Sequence, residues 1–121
     1  MLLDSNIIIY AAEPGYDRVR QFVAEIDPVV SVISKVEVLG YHKLSPENGE
    51  KLETLFSLLP VLPVTDDVIE RTISLRQQRR MSLGDALIAG TALSYGLPIV
   101  TANVKDYEWI EGLEIINPLE L

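Results

Sequence analysis

The sequence predicts an α/β fold, a three-layer α/β/α sandwich around a parallel, Rossmann-like central sheet, and three observations lead there. Short, almost continuous apolar runs alternate with helix-length amphipathic runs, the pattern of parallel strands buried on both faces. Turn-forming stretches, "EPG", "SPENG" and "YGLP", fall between those runs. At 121 residues and 48% hydrophobic content, the chain has the size and apolar content of one packed core. A single domain over residues 1–121 is therefore expected.

The elements follow in order. "MLLD" reads as a first strand and "RVRQFVAEI" as a helix, then "PVVSVI" as a strand. "SKVEVLGYHKL" and "PENGEKLETLFSLL" read as helices and "LPVLPV" as a strand. "DDVIERTISLRQQRR" is a helix, the stretch beginning "MSLGDALIAG" a buried one, and "LPIVT" and "LEIINP" the closing strands. "NIIIYAA" is an apolar run assigned to no element, and no internal repeat is visible.

Composition narrows the chemistry. There is no cysteine, which excludes disulfides and thiolate zinc sites, and the single histidine, His42, excludes an imidazole-rich centre. Any bound metal must be held mainly through oxygen. No apolar run approaches the roughly 20 residues that cross a bilayer, so the expectation is a soluble, cytoplasmic protein with no membrane partner. The formal charge of −8 argues against a surface that clings to nucleic acid throughout. It leaves room for a nucleic-acid enzyme whose site carries divalent cations, and for a basic protein partner.

In an open parallel sheet, ligands collect beyond the carboxyl ends of the strands, where the strand order reverses. Asp4 closes the first strand, Glu37 lies just inside the helix after the second, Asp85 opens the late buried helix, and Asn103 and Asp106 follow "LPIVT". Each also has a plain structural reading. Asp4 can cap the segment after it; Ser34 to Glu37 and Ser82 to Asp85 both have capping-box spacing; Asp106 can be a surface acid. Against these stands their shared position, in apolar surroundings with no Arg or Lys within a few residues of Asp4 or Asp85. Acids gathered in one pocket repel unless a cation compensates them, and Mg²⁺ or Mn²⁺ suits carboxylate, amide and water ligands.

Other residues invite plainer readings. Asp66 and Asp67 follow Thr65 at a helix start, as cap and dipole partners do. His42 lacks a ligand partner, and Tyr107 and Trp109 suit the core edge, with stacking on bases as the alternative. Arg76, Arg79 and Arg80 form the one compact basic cluster, placed either to suit the helix dipole or to contact RNA.

With those residues in view, the chain resembles the PIN-domain family, most closely the VapC-type ribonuclease toxins of toxin–antitoxin pairs. The resemblance runs end to end, through "MLLDSNIIIY", "VSVISKVEVLG", "LGDALIAGTALSYGLPIVTANVKDY" and "IEGLEIINP". It implies a Mg²⁺- or Mn²⁺-dependent endoribonuclease that hydrolyses RNA phosphodiester bonds to 5′-phosphate and 3′-hydroxyl ends. It matches Asp4, Glu37 and Asp85 to the three core acids, with Asn103 and Asp106 completing the metal site and Asn6 and Thr101 supporting it by hydrogen bonds. Many relatives carry an aspartate where this chain has Asn103, which implies a weaker second metal position. A homodimer and a co-encoded antitoxin are the implied partners. Two rivals remain: a PIN-like protein that binds RNA or acts as a scaffold without cleaving it, and a phosphoacceptor domain. The latter needs paired acids where Asp4 is followed by Ser5 and Asn6.

Overall fold

Side chains at alternate positions of one strand point to opposite faces, and here they enter two different cores. The computed structural model describes residues 1–121. In strand β1 (Leu2–Leu3), Leu3 packs with Val30, Val100, Ile7, Ile8, Val19, Val23, Leu52 and Phe56. Leu2 packs with Ile99, Leu75, Ile88, Ala89, Ala92, Tyr107 and Ile110 on the other face. The sheet is thus covered on both sides, as the apolar runs predicted.

Strand β2 is Val30–Ser31, β3 Val61–Leu62, β4 Ile99–Val100 and β5 Ile115–Ile116. All pairings are parallel: β2 with β3, β1 with β4, and β4 with β5. A parallel bridge from Leu2 to Val29, with Leu3 N donating to the Val29 carbonyl at 3.0 Å, joins the two groups into the order β3-β2-β1-β4-β5. The chain steps outward from β1 in one direction, then returns to its other side. The switch point of the topology therefore lies between the carboxyl ends of β1 and β4.

The strands are shorter than the apolar runs because helices start at once beyond them. Asp4 caps α1 (Ser5–Ala12), its Oδ1 accepting from Ser5 N at 2.8 Å. The run "NIIIYAA" is therefore helical despite three consecutive β-branched isoleucines, two of which, Ile7 and Ile8, are fully buried. Helix α2 spans Asp17–Glu25. Ser31 caps α3 (Val32–Leu39) through Ile33 N, so α3 begins inside the stretch read as a strand.

Ser45 caps α4 (Pro46–Leu58), Thr65 caps α5 (Asp66–Gln78) and Ser82 caps α6 (Leu83–Tyr95). Helix α6 ends at Gly96 with φ of 65°, the left-handed geometry glycine adopts at least cost. The small residues of α6 divide their work: Ala89 and Ala92 lie in the core against the sheet, whereas Gly90 faces α5. A Cβ at Gly90 would stand 2.6 Å from Thr72 Oγ1 and 3.1 Å from the Val68 carbonyl. A short helix, α7 (Val104–Tyr107), follows β4, in a stretch where no element was expected. No helix is long and apolar enough to cross a membrane.

Candidate active site

The switch point is lined by groups from four separated segments. Asp4, at the end of β1, is buried. Its Oδ2 accepts from the Thr101 hydroxyl at the end of β4, 2.7 Å away, and its Oδ1 from Ser5 N. Burial pushes the Asp4 carboxyl above its ordinary value; bonds from Thr101 and Ser5 oppose that rise, while the negative charge of Asp85 adds to it. A group held so firmly and yet so costly to ionise is poised for a positive partner.

Asp85 does what the capping-box spacing predicts only with its backbone. Its N–H donates to Ser82 Oγ at 3.1 Å, but its carboxylate turns away, and Oδ1 accepts instead from the Tyr107 hydroxyl at 3.2 Å. Tyr107 is fully buried, and its pKa is raised by burial first and then by the charges of Asp4 and Asp85. Its hydroxyl thus bonds Asp85 and feels the charge of both acids. The sequence reading placed Tyr107 at the core edge; its ring is indeed in the core, but its oxygen belongs to the site. Only the unpaired polar tip on an otherwise apolar residue could have signalled this.

Glu37 is not in a capping box. The cap of α3 is Ser31, three residues earlier than Ser34, so Glu37 lies near the helix end rather than in its first turn. It is exposed, not set among apolar walls, and its Oε1 lies 3.1 Å from the Ser5 hydroxyl, which also lies 2.9 Å from the buried Ser34 hydroxyl. Its Oε2 lies against α6, where a Cβ on Gly84 would come within 2.6 Å of it. Ser5 and Gly84 were not singled out for the site in the sequence, and Ser34 only as a helix cap, because small residues carry no chemical signal until a neighbour is known.

Asn103 is exposed at the start of α7; its N–H donates to Thr101 Oγ1 at 3.0 Å, and its side chain makes no capping bond. Asp106 is exposed on α7, near enough for its charge to add a little to the rise of the Tyr107 pKa. Asn6 is half-buried in the first turn of α1 and makes no side-chain hydrogen bond to the acids. Of the polar supports expected, Thr101 bonds an acid and Asn6 does not.

The basic cluster is split. Arg76 and Arg80 line a cleft of about 490 Å³ with Thr72, Met81 and Leu83, whereas Arg79 lies over the Trp109 ring at 5.5 Å. Trp109 donates to the Asp106 carbonyl at 3.1 Å and covers an edge of the core, and exposed His42 packs edge-on against Tyr41. Asp67 meets Arg71 Nε at 2.8 Å and Ser94 Oγ at 2.5 Å, consistent with a structural role.

The ion pairs of the protein are Arg20–Asp17, Lys51–Glu47 and Arg71–Asp67, so Asp4, Glu37, Asp85 and Asp106 have no basic partner. No three acids close on a common point. What the structure brings together is the pair Asp4 and Asp85, with Glu37 tied in through Ser5. Mg²⁺ commonly binds through one or two carboxylates and keeps several waters, so a pair of uncompensated carboxylates fits it.

The PIN domain family model matches residues 1–108. Ribonuclease VapC1 of Rickettsia felis is 32% identical, the alignment covering 97% of this chain and 95% of that protein. The DNA-bound VapBC structure from Salmonella typhimurium superposes with a TM-score of 0.85 at 27% identity, covering 97% of this chain and 96% of that one. A toxin–antitoxin complex from Klebsiella pneumoniae gives 0.79 at 28% identity, with 97% and 96% coverage. The chain belongs to the PIN domain family, among its VapC-type members.

Proposed function

We propose that this protein is a Mg²⁺- or Mn²⁺-dependent endoribonuclease, the toxin of a VapBC-type toxin–antitoxin pair. One observation carries the reading: Asp4 and Asp85, far apart in sequence, come close enough at the switch point of the sheet for the charge of one to raise the pKa of the other, with no Arg or Lys paired to either. The relatives named as ribonucleases and the VapBC assemblies among the similar structures support the substrate and the partner.

Asp4 and Asp85 would hold the ion, with Glu37 beside them and Asn103 and Asp106 at the rim. When bound, the ion supplies Lewis acidity and charge neutralisation for phosphodiester hydrolysis. Thr101 and Ser5 N orient the Asp4 carboxylate. Arg76 and Arg80 offer cations to RNA phosphates at the neighbouring cleft, whereas Arg79 is occupied by Trp109. No side chain need act as nucleophile. The exposed apolar residues Val36, Ile69, Ile73 and Leu83 offer surface for a homodimer. The unpaired acids and the net charge of −8 suit an antitoxin that brings Arg or Lys to the site.

A second reading, RNA binding without cleavage, is favoured by the lack of a three-acid cluster. Purified protein, freed of any co-purified partner, should cut single-stranded and hairpin RNAs with Mg²⁺ or Mn²⁺, stop on chelation, and leave 5′-phosphate ends. Cleavage indifferent to chelator overturns the metal-dependent reading. Metal-dependent RNA binding with intact RNA replaces it by the second.

A further inference from the structure

We propose that Tyr107 is a positioning residue, whose hydroxyl fixes the Asp85 carboxylate opposite Asp4 so that both present oxygens to one cation. This rests on the reading of Asp4 and Asp85 as cation ligands. The Tyr107 ring is fully buried among Leu2, Leu75, Ile88, Ile99 and Ile110, so packing sets where its oxygen lies. That packing alone would be met by phenylalanine, and a buried hydroxyl is costly unless it is bonded. The bond it makes is to Asp85 Oδ1, and no buried side-chain polar atom of the protein lacks a partner.

The two acids are not held alike. Asp4 has two donors of its own, namely Ser5 N and Thr101 Oγ1. The Asp85 carboxylate accepts from the Tyr107 hydroxyl alone, since the cap at this helix start runs from its backbone N–H to Ser82. Oδ1 is therefore tethered while Oδ2 is left open to a ligand. Tyr107 is the outer partner that orients a ligating carboxylate, the kind of contact whose loss commonly costs metal affinity.

The test measures Mn²⁺ binding by calorimetry, without RNA, on the wild type, Tyr107→Phe and Tyr107→Leu, with thermal melts in chelator alongside. Tyr107→Phe should keep its melting temperature yet weaken Mn²⁺ binding by about tenfold or more. Tyr107→Leu, which also removes the ring, should melt lower but lose the same affinity. If Tyr107→Phe binds Mn²⁺ as the wild type does and only Tyr107→Leu is weakened, the ring and not the hydroxyl matters, and the proposal is wrong. In an Asp85→Asn background, Tyr107→Phe should weaken binding no further; an undiminished loss there would overturn the assignment to Asp85. A wild type that fails to bind Mn²⁺ at millimolar concentration overturns the cation reading itself, and this proposal with it.

Discussion

Two helix starts in this protein are built from the same parts and end in opposite electrostatics. At α5, Thr65 caps the helix, Asp67 sits in the first turn, and its carboxylate meets Arg71 and Ser94 at the surface. At α6, Ser82 caps the helix and Asp85 sits in the first turn, but its carboxylate turns inward to a buried tyrosine, facing a second acid and no cation. Hydrogen bonds from Ser94 and Arg71 hold the Asp67 carboxyl below its ordinary range, whereas burial holds Asp4, the partner of Asp85, above it. The cap spacing foretells the backbone bond in both places. It says nothing of where the carboxylate goes, and that direction separates a structural acid from one that needs a counter-ion.

The largest difference should be in activity. Asp4→Asn and Asp85→Asn should each lower metal-dependent RNA cleavage by about a hundredfold or more, while Asp67→Asn stays within about twofold of wild type. Asp85→Asn should remain folded, because the cap at α6 uses the backbone N–H of residue 85 and keeps its Ser82 acceptor. Equal losses at Asp67 and Asp85, read in the same cleavage assay, would break the comparison.

A smaller contrast lies in two glycines of α6. At Gly84 a methyl group would meet only the flexible end of Glu37, so Gly84→Ala should displace that carboxylate and cut cleavage severalfold. Its melting temperature should hold or rise, since alanine favours the helix by up to about 1 kcal/mol. At Gly90 the obstacles include the Val68 carbonyl and Thr72 N, which cannot swing aside. Gly90→Ala should therefore destabilise the fold by about 1–3 kcal/mol. Urea unfolding and cleavage rates, measured together, check both.

The smallest effect is a difference in pH dependence. Asp4 titrates above the ordinary aspartate value of 3.8, so between 3.8 and its raised value the native state binds more protons than the unfolded state. Without divalent ions, its contribution to stability should fall as pH rises through that window and level off above it. Asp4→Asn should flatten that slope. Asp67 has the opposite sign: its contribution is present above 3.8 and is lost as pH falls through its depressed value. Melting temperatures across a pH series in chelator, for wild type, Asp4→Asn and Asp67→Asn, should show the two slopes running opposite ways.

The alternation of apolar and amphipathic runs was legible because burial on two faces leaves an unbroken hydrophobic strand, and the structure has those two faces. The hydroxyl caps at Thr65 and Ser82 were legible for a local reason, each bonding an N–H three residues on. Helix α1 was not, since three isoleucines in a row favour a strand, and only the Asp4 cap and burial of Ile7 and Ile8 overrule that preference. The start of α3 was misplaced for a related reason: Ser31 and Ser34 both have cap chemistry, and the chain uses the first.

Sequence by itself determined the layered fold, the mainly oxygen ligands that a chain with no cysteine and one histidine can offer a metal, and the candidacy of Asp4, Glu37 and Asp85. These depend on residue type and near spacing, which are local quantities. Tertiary structure decided the rest. It made Asp4 buried and Glu37 exposed, split Arg79 from Arg76 and Arg80, and brought the Tyr107 hydroxyl to Asp85 from 22 residues away. Whether a carboxylate is solvated, paired or left facing another depends on which segments the sheet order makes neighbours. That order is set by packing across the whole chain, and no short stretch of residues contains it.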